Sequence, residues 1–262
     1  MHGKRYKVLN IFRPAEFVGP LPIMIFIHGG AFQSGSNYDA RLYNGTSLAL
    51  LENIGSVANI FLNIASEKFI LQLIKVVTVN YRLGVMGFLN QFDTENDLQL
   101  GGNYGLIDQQ TAIEFIYENA ENLGGDKNRI TIFGVSAGGE SVSSQTMHPE
   151  TSKLISGAIV QSGQGLWNWN RIQNTPRIND QLREFCNNLE CCEFTNNMED
   201  LVDNLRKCDV WELMNSWWDV EGANDWYAIS KDGVFFQDDV IGMGLPDRSG
   251  RISLAGRLQS SG

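Results

Sequence analysis

An apolar strand that runs into a serine held between glycines narrows the options for this chain more than anything else in it. Residues 130–139 read ITIFGVSAGG, and Gly134-Val135-Ser136-Ala137-Gly138 fits the pattern G-x-S-x-G. Such a segment must turn sharply from strand into helix, with the serine strained at the corner. Side chains at the flanking positions collide with the neighbouring strand and helix, hence the glycines. The turn lifts the Ser136 hydroxyl to the rim of a sheet and aims a helix N-terminus at it, whose partial positive charge favours an oxyanion. The pentapeptide alone is common. Preceded by ITIF and followed by small residues suited to a helix start, it is specific, and the plainer reading of a serine in a packing turn fits less well.

The surroundings supply the sheet that this turn needs. LPIMIFIHGG, KVVTVNYRLG (Lys75–Gly84), RITIFGVS and GAIVQSG are continuous apolar runs rather than alternating ones, which predicts strands covered on both faces. Between the second and third, Ala112, Ile113, Ile116, Ala120 and Leu123 fall at helical spacing, and Gly124-Gly125 ends the pattern. Strand, helix and strand with burial on both faces predict a parallel sheet flanked by helices, with the third strand in its interior. Beyond Trp167 the chain becomes helical and more polar, the character of a cap or side layer. With 262 residues, 43% hydrophobic and 19% charged, the composition is globular. A net charge of −10 argues against nucleic acid or an anionic membrane as the main partner. No apolar run is long enough to span a bilayer, and MHGKRYKVLN has no apolar signal core.

Cys186, Cys191, Cys192 and Cys208 cluster without paired C-x-x-C spacing, and the chain has three histidines, His2, His28 and His148. A zinc site is not expected. A local disulfide and free thiols both remain open. Asn44-Gly45-Thr46 is a glycosylation sequon. Residues 247–262 are polar and rich in Gly, Ser and Arg, which predicts a frayed tail with nothing to bury.

A second glycine-rich element supports the first. HGGAFQSGS follows the strand that ends at Ile27. Its tandem glycines allow backbone N–H groups to face a ligand, and with the amide of Ala137 they can donate to a developing oxyanion. Taken with LNIFRP, VTVNYRLGVMGFL, GGNYGLIDQQTAIEFI, NLGGDKNRITIFGVSAGGESV, HPETSKLISGAIVQSG and KDGVFFQDD, all in order, the chain resembles the type-B carboxylesterases, the family that includes the cholinesterases. The likeness covers most of residues 5 to 240. It implies an incomplete α/β-hydrolase fold over residues 1–246, with a mostly parallel central sheet, flanking helices and a helical cap. It implies Ser136 as nucleophile, Gly30, Ala31 and Ala137 as oxyanion donors, and an acyl-enzyme route to hydrolysis of small carboxylic esters without a cofactor. The NYRLG and NLGGDKNRITIFG stretches favour this family over lipases of the HGGG type.

The departures are equally informative. A serine hydroxyl needs a base, usually histidine oriented by a carboxylate. In the family both follow the serine at a distance, whereas here only His148 does, twelve positions on in MHPE. It matches a structural position of the family, and His28 is expected to order the glycine loop. Asp238 and Asp239 match a loop rather than the triad acid. The expectation is that this chain lacks triad acid and base and is inactive as given. Arg82 commonly pairs with an acid from an N-terminal segment absent here, so it is expected to be unpaired and costly if buried. Residues 52–75 form an insert with no family counterpart and, with the tail, resemble translated non-coding sequence. Val135 replaces the glutamate usual before the serine. The family places a small loop disulfide near the cysteines: Cys191 or Cys192 matches its first member, and Cys208 would stand in for its second. A non-catalytic cholinesterase-like binding protein or pseudoenzyme is the alternative function. Trp167, Trp169, Trp217, Trp218 and Trp226 suit packing better than a substrate pocket. The sequon and a possible disulfide slightly favour a secreted or lumenal protein.

Overall fold

The computed structural model describes residues 9–38, 44–46, 49, 74–93, 98–163, 175–216, 229, 232, 234–236 and 254–255. The chain opens with β1 (Leu9–Phe12), β2 (Leu21–Ile27) and β3 (Lys75–Val79). A short α1 (Gly84–Phe88) and a hairpin of β4 (Asn90–Asp93) and β5 (Leu98–Gly101) lead into α2 (Tyr104–Asn119). Then come β6 (Gly125–Val135), α3 (Ala137–Met147), α4 (Pro149–Leu154) and β7 (Gly157–Gln161). The helices α5 (Thr175–Asn187), α6 (Met198–Leu205) and α7 (Val210–Ser216) follow, and β8 (Leu254–Ala255) comes last.

Six strands form the main sheet in the order β1-β3-β2-β6-β7-β8. β1 runs antiparallel to β3, and the other pairings are parallel. This is the mostly parallel, helix-flanked sheet of an α/β-hydrolase, with β6 in the interior. The apolar runs of β2 and β3 are covered as expected: every residue of β3 is buried, as are Ile23, Ile25, Phe26 and Ile27 of β2, whereas β7 buries only Ala158. α2 lays Leu106, Ala112, Ile113 and Ile116 on the core. Ala120 is also buried, and Leu123 packs against the same cluster. Gly124 ends the run at φ +71°, a left-handed conformation that glycine adopts without penalty.

The more polar C-terminal helices pack into the core. Leu182 and Phe185 of α5, Leu201 and Leu205 of α6 and Leu213 of α7 join the core that holds the sheet. The four cysteines form two disulfides here, Cys186–Cys192 and Cys191–Cys208. The second is one of the two pairings implied by the resemblance, and the first adds a tie within the same turn region. Leu254–Ala255 corrects the expectation of a structureless tail at that point, since it pairs in parallel with Ala158 and Ile159 of β7. An uncovered sheet edge presents unpaired N–H and C=O groups that a passing segment can satisfy. Residues 52–73 of the insert lie outside the described residues.

Candidate active site

Ser136 stands at the junction of β6 and α3 with φ 59° and ψ −127°. That region of backbone space is almost closed to residues with a side chain and costs about 1–3 kcal/mol where it is held. Two backbone bonds hold it: the Ser136 amide donates to the Gln161 carbonyl at 2.8 Å, and the Glu140 amide donates to the Ser136 carbonyl at 3.0 Å. The side chain itself is exposed. The neighbouring glycines are demanded by close approach. A Cβ at Gly134 would lie 2.7 Å from the Ile27 carbonyl oxygen, one at Gly138 2.8 Å from that of His28, and one at Gly139 2.6 Å from that of Gln161. The turn is thus wedged between the ends of β2 and β7.

The glycine loop after β2 lies directly against the serine. A Cβ at Gly29 would meet the Val135 carbonyl oxygen at 2.5 Å and the Ser136 Cβ at 3.2 Å. Gly30 follows at φ +116°, then Ala31 at 53° and Phe32 at 60°. This left-handed run is pinned by bonds from the Gln33 and Ser34 amides to the Gly30 carbonyl, at 2.9 and 3.0 Å, and from the Gly84 amide to the Phe32 carbonyl at 2.7 Å. Phe32 is buried against Phe88, ring centroids 4.7 Å apart. Among the described residues, the amides of Gly30, Ala31 and Ala137 donate to no protein acceptor. Gly29, which precedes Gly30 and Ala31, thus lies against Ser136.

The histidines are occupied elsewhere. His28 is buried and stacks on Tyr81 with ring centroids 4.5 Å apart. Its Nδ1 lies 2.8 Å from the Gly29 carbonyl, which can only accept, so Nδ1 carries the proton. The Tyr81 hydroxyl donates to the His28 carbonyl at 2.8 Å. Burial lowers the His28 pKa, and the bond to Gly29 opposes that shift. His28 orders the loop, the role expected for it. His148 closes α3 at the end opposite Ser136, about 18 Å away along the axis at the normal helical rise. Its Nδ1 accepts from the Thr151 amide at 3.3 Å and so caps α4, and its ring packs 4.4 Å from that of Phe235. Burial pushes its pKa down. His2, Asp238, Asp239 and the five tryptophans named above lie outside the described residues.

Arg82 corrects one expectation outright. It is paired: Nε donates to Asp108 Oδ2 at 2.7 Å and Nη2 to Oδ1 at 3.0 Å, with its backbone amide adding 3.1 Å to Oδ2. Asp108 comes from α2, across the chain reversal that the hairpin makes, and two parallel bonds give the strong forked geometry of a guanidinium on a carboxylate. Among the described residues, no three His, Cys, Asp or Glu side chains gather as a metal site, and no helix is long and apolar enough to cross a membrane. Gln161, which receives the Ser136 amide, carried no signal in the sequence, because its part is played by a backbone carbonyl.

The geometry agrees with comparison to known proteins. The model of the carboxylesterase family matches residues 8–242. A bile salt-activated lipase of Bos taurus is 42% identical over 176 residues, 64% of this chain and 25% of that protein. A juvenile hormone esterase of Tribolium castaneum is 37% identical over 208 residues, 78% of this chain and 30% of that protein. A carboxylesterase 5A of Ovis aries is 32% identical over 238 residues, 89% of this chain and 53% of that protein. The chain therefore spans between about a quarter and a half of the length of these relatives. A serine held in a strained turn under a glycine loop, on a mostly parallel sheet, in a chain that the family's model matches over residues 8–242, places the protein: it belongs to the carboxylesterase family and has the α/β-hydrolase fold.

Proposed function

We propose that the protein is a carboxylic ester hydrolase whose chemistry runs through Ser136, acting on a small-molecule ester without a cofactor. The observation that carries this reading is the exposed Ser136 at φ 59°, ψ −127°, with Gly29 packed on its Cβ. In this reading the Ser136 Oγ attacks the ester carbonyl and gives up its proton to a base. The alcohol leaves with a proton, and an acyl-serine remains until water attacks it in the same way. The amides of Gly30, Ala31 and Ala137 stabilise the oxyanion of each tetrahedral intermediate, each donor contributing ~3 kcal/mol.

The same proposal holds that these 262 residues do not turn ester over unaided. An unactivated serine is a weak nucleophile. His28 is committed to the loop and Tyr81, and His148 sits at the far end of α3. Among the described residues the hydroxyl is cradled but has no base. A non-catalytic binding protein of the cholinesterase-like kind is the second reading; the placement of those two imidazoles favours it, and the intact serine and glycine loop oppose it. The two disulfides support an oxidising, secreted or lumenal setting.

Exogenous base tests both halves. Hydrolysis of p-nitrophenyl butyrate by the chain is expected at the buffer rate, rising on addition of imidazole by more than in the Ser136→Ala variant. Equal imidazole rates for chain and variant would refute the role of Ser136. Turnover without imidazole would refute the missing base.

A further inference from the structure

We propose that Asn44 is a site of N-linked glycosylation. Asn44-Gly45-Thr46 is the one N-x-S/T triplet in the chain. Its two reading residues and its spacer are separated by burial: Asn44 and Thr46 are exposed, while Gly45 is buried. The reason is packing on the sheet edge. A Cβ at Gly45 would lie 2.7 Å from Phe12 Cδ2 on β1 and 2.8 Å from Val76 Cγ1 on β3. Only glycine lets the backbone settle there, and the Gly45 carbonyl then accepts from the Ala49 amide at 2.8 Å. The anchored spacer holds its two neighbours outward. The Asn44 Oδ1 accepts from the Thr46 amide at 3.0 Å, so Nδ2 is the end of the side chain not engaged in the turn.

The second observation concerns the compartment. Two disulfides between neighbouring segments are stable in the oxidising lumen where oligosaccharide is attached, and not in the reducing cytosol. There the Nδ2 of Asn44 forms a bond to the anomeric carbon of a lipid-linked oligosaccharide, releases one proton, and the lipid diphosphate departs as leaving group. Glycosylation at Asn44 does not depend on the esterase reading and goes beyond it.

The position also keeps a glycan clear of Ser136. Val76 is level with Met24, which is level with Thr131 of β6. Ser136 lies five residues further along and two strands across, about 16 Å by about 10 Å at ordinary strand spacings. The sugar would cover the β1 edge of the sheet and leave the mouth of the site open.

The test is expression of the full chain behind a cleavable secretory leader. Peptide-N-glycosidase F, applied without denaturant, is expected to shift the chain downward on a gel and to convert Asn44 to aspartate in the peptide map. The shift is lost in Asn44→Gln and in Thr46→Ala, and kept in Thr46→Ser. Cell-free translation with microsomes gives the same readout without requiring the variants to fold. Unmodified Asn44 in chain that has entered the microsomes would overturn the proposal. Imidazole-dependent hydrolysis is expected to be the same in Asn44→Gln as in the parent, so this result and the fate of the esterase reading are separable.

Discussion

Lys75 is the residue whose replacement should make the protein more stable. It opens β3 level with Ile23 of β2, is 1% exposed, and has no hydrogen-bond partner for Nζ among the described residues. The compensation is the ring of Phe17, 4.6 Å from Nζ to centroid. Burial, and after it the positive charge of Arg13, lower the pKa of the amine. A buried polar group without a hydrogen bond costs about 1–3 kcal/mol, and a cation over an aromatic face returns about 0.5–2 kcal/mol. Lys75→Met keeps the unbranched stem and removes the amine, so the variant is expected to gain about 1 kcal/mol. Urea denaturation reads this as a higher midpoint at constant slope. The pH dependence fixes the cause. The folded amine binds its proton less tightly than the unfolded one, whose ordinary value is 10.5. The unfolded chain therefore holds more protons, and parent stability rises with pH from below the folded pKa up to the unfolded one. The variant lacks this rise. A variant less stable than the parent, with the alkaline rise intact, would show that the amine is satisfied and the reasoning wrong.

Three further perturbations probe the site and its supports. Gly29→Ala puts a methyl 2.5 Å from the Val135 carbonyl oxygen; it is expected to destabilise by about 1–3 kcal/mol and to slow imidazole-assisted modification of Ser136 about 100-fold, with parent-like rates counting against the packing described. Arg82→Ala leaves Asp108, whose side chain is 6% exposed, without its guanidinium. Because Arg82 itself is 30% exposed, the expected loss is about 1–3 kcal/mol, and thermal melts of the Arg82→Ala, Asp108→Asn and double variants should show the two single losses to be non-additive. His28 and His148 both have pKa values lowered by burial. Below their ordinary value of 6.5 the unfolded chain takes up protons that the folded chain resists, so stability should fall as pH drops from 6.5 toward the folded values; His148→Gln should flatten part of that fall in urea titrations across the range.

Features carried by short stretches were legible, and features carried by distant pairs were not. The four apolar runs, the helical face through Ala112, Ile113 and Ile116, and the glycines at 134 and 138 follow from local sterics and burial, which a sequence displays directly. The pairing of Arg82 with Asp108 spans 26 residues and depends on how the β4–β5 hairpin returns the chain, which no local pattern encodes. The Cys186–Cys192 bridge was hidden for a related reason: four clustered cysteines allow several pairings, and only backbone geometry selects among them. β8 was missed because two residues of strand have no periodicity to read. At the site itself, the resemblance supplied the roles, while the structure supplied the reason for Gly29, whose missing side chain lets the loop rest on Ser136.

Ser136 is positioned by its backbone setting but not activated: among the described residues no histidine stands beside it as a base. A fluorophosphonate probe, with the adduct located by peptide mass spectrometry, reads this out. Slow modification, confined to Ser136 and accelerated by imidazole, is expected. Rapid, complete modification of Ser136 without added base, or adducts on other serines with Ser136 untouched, would contradict it.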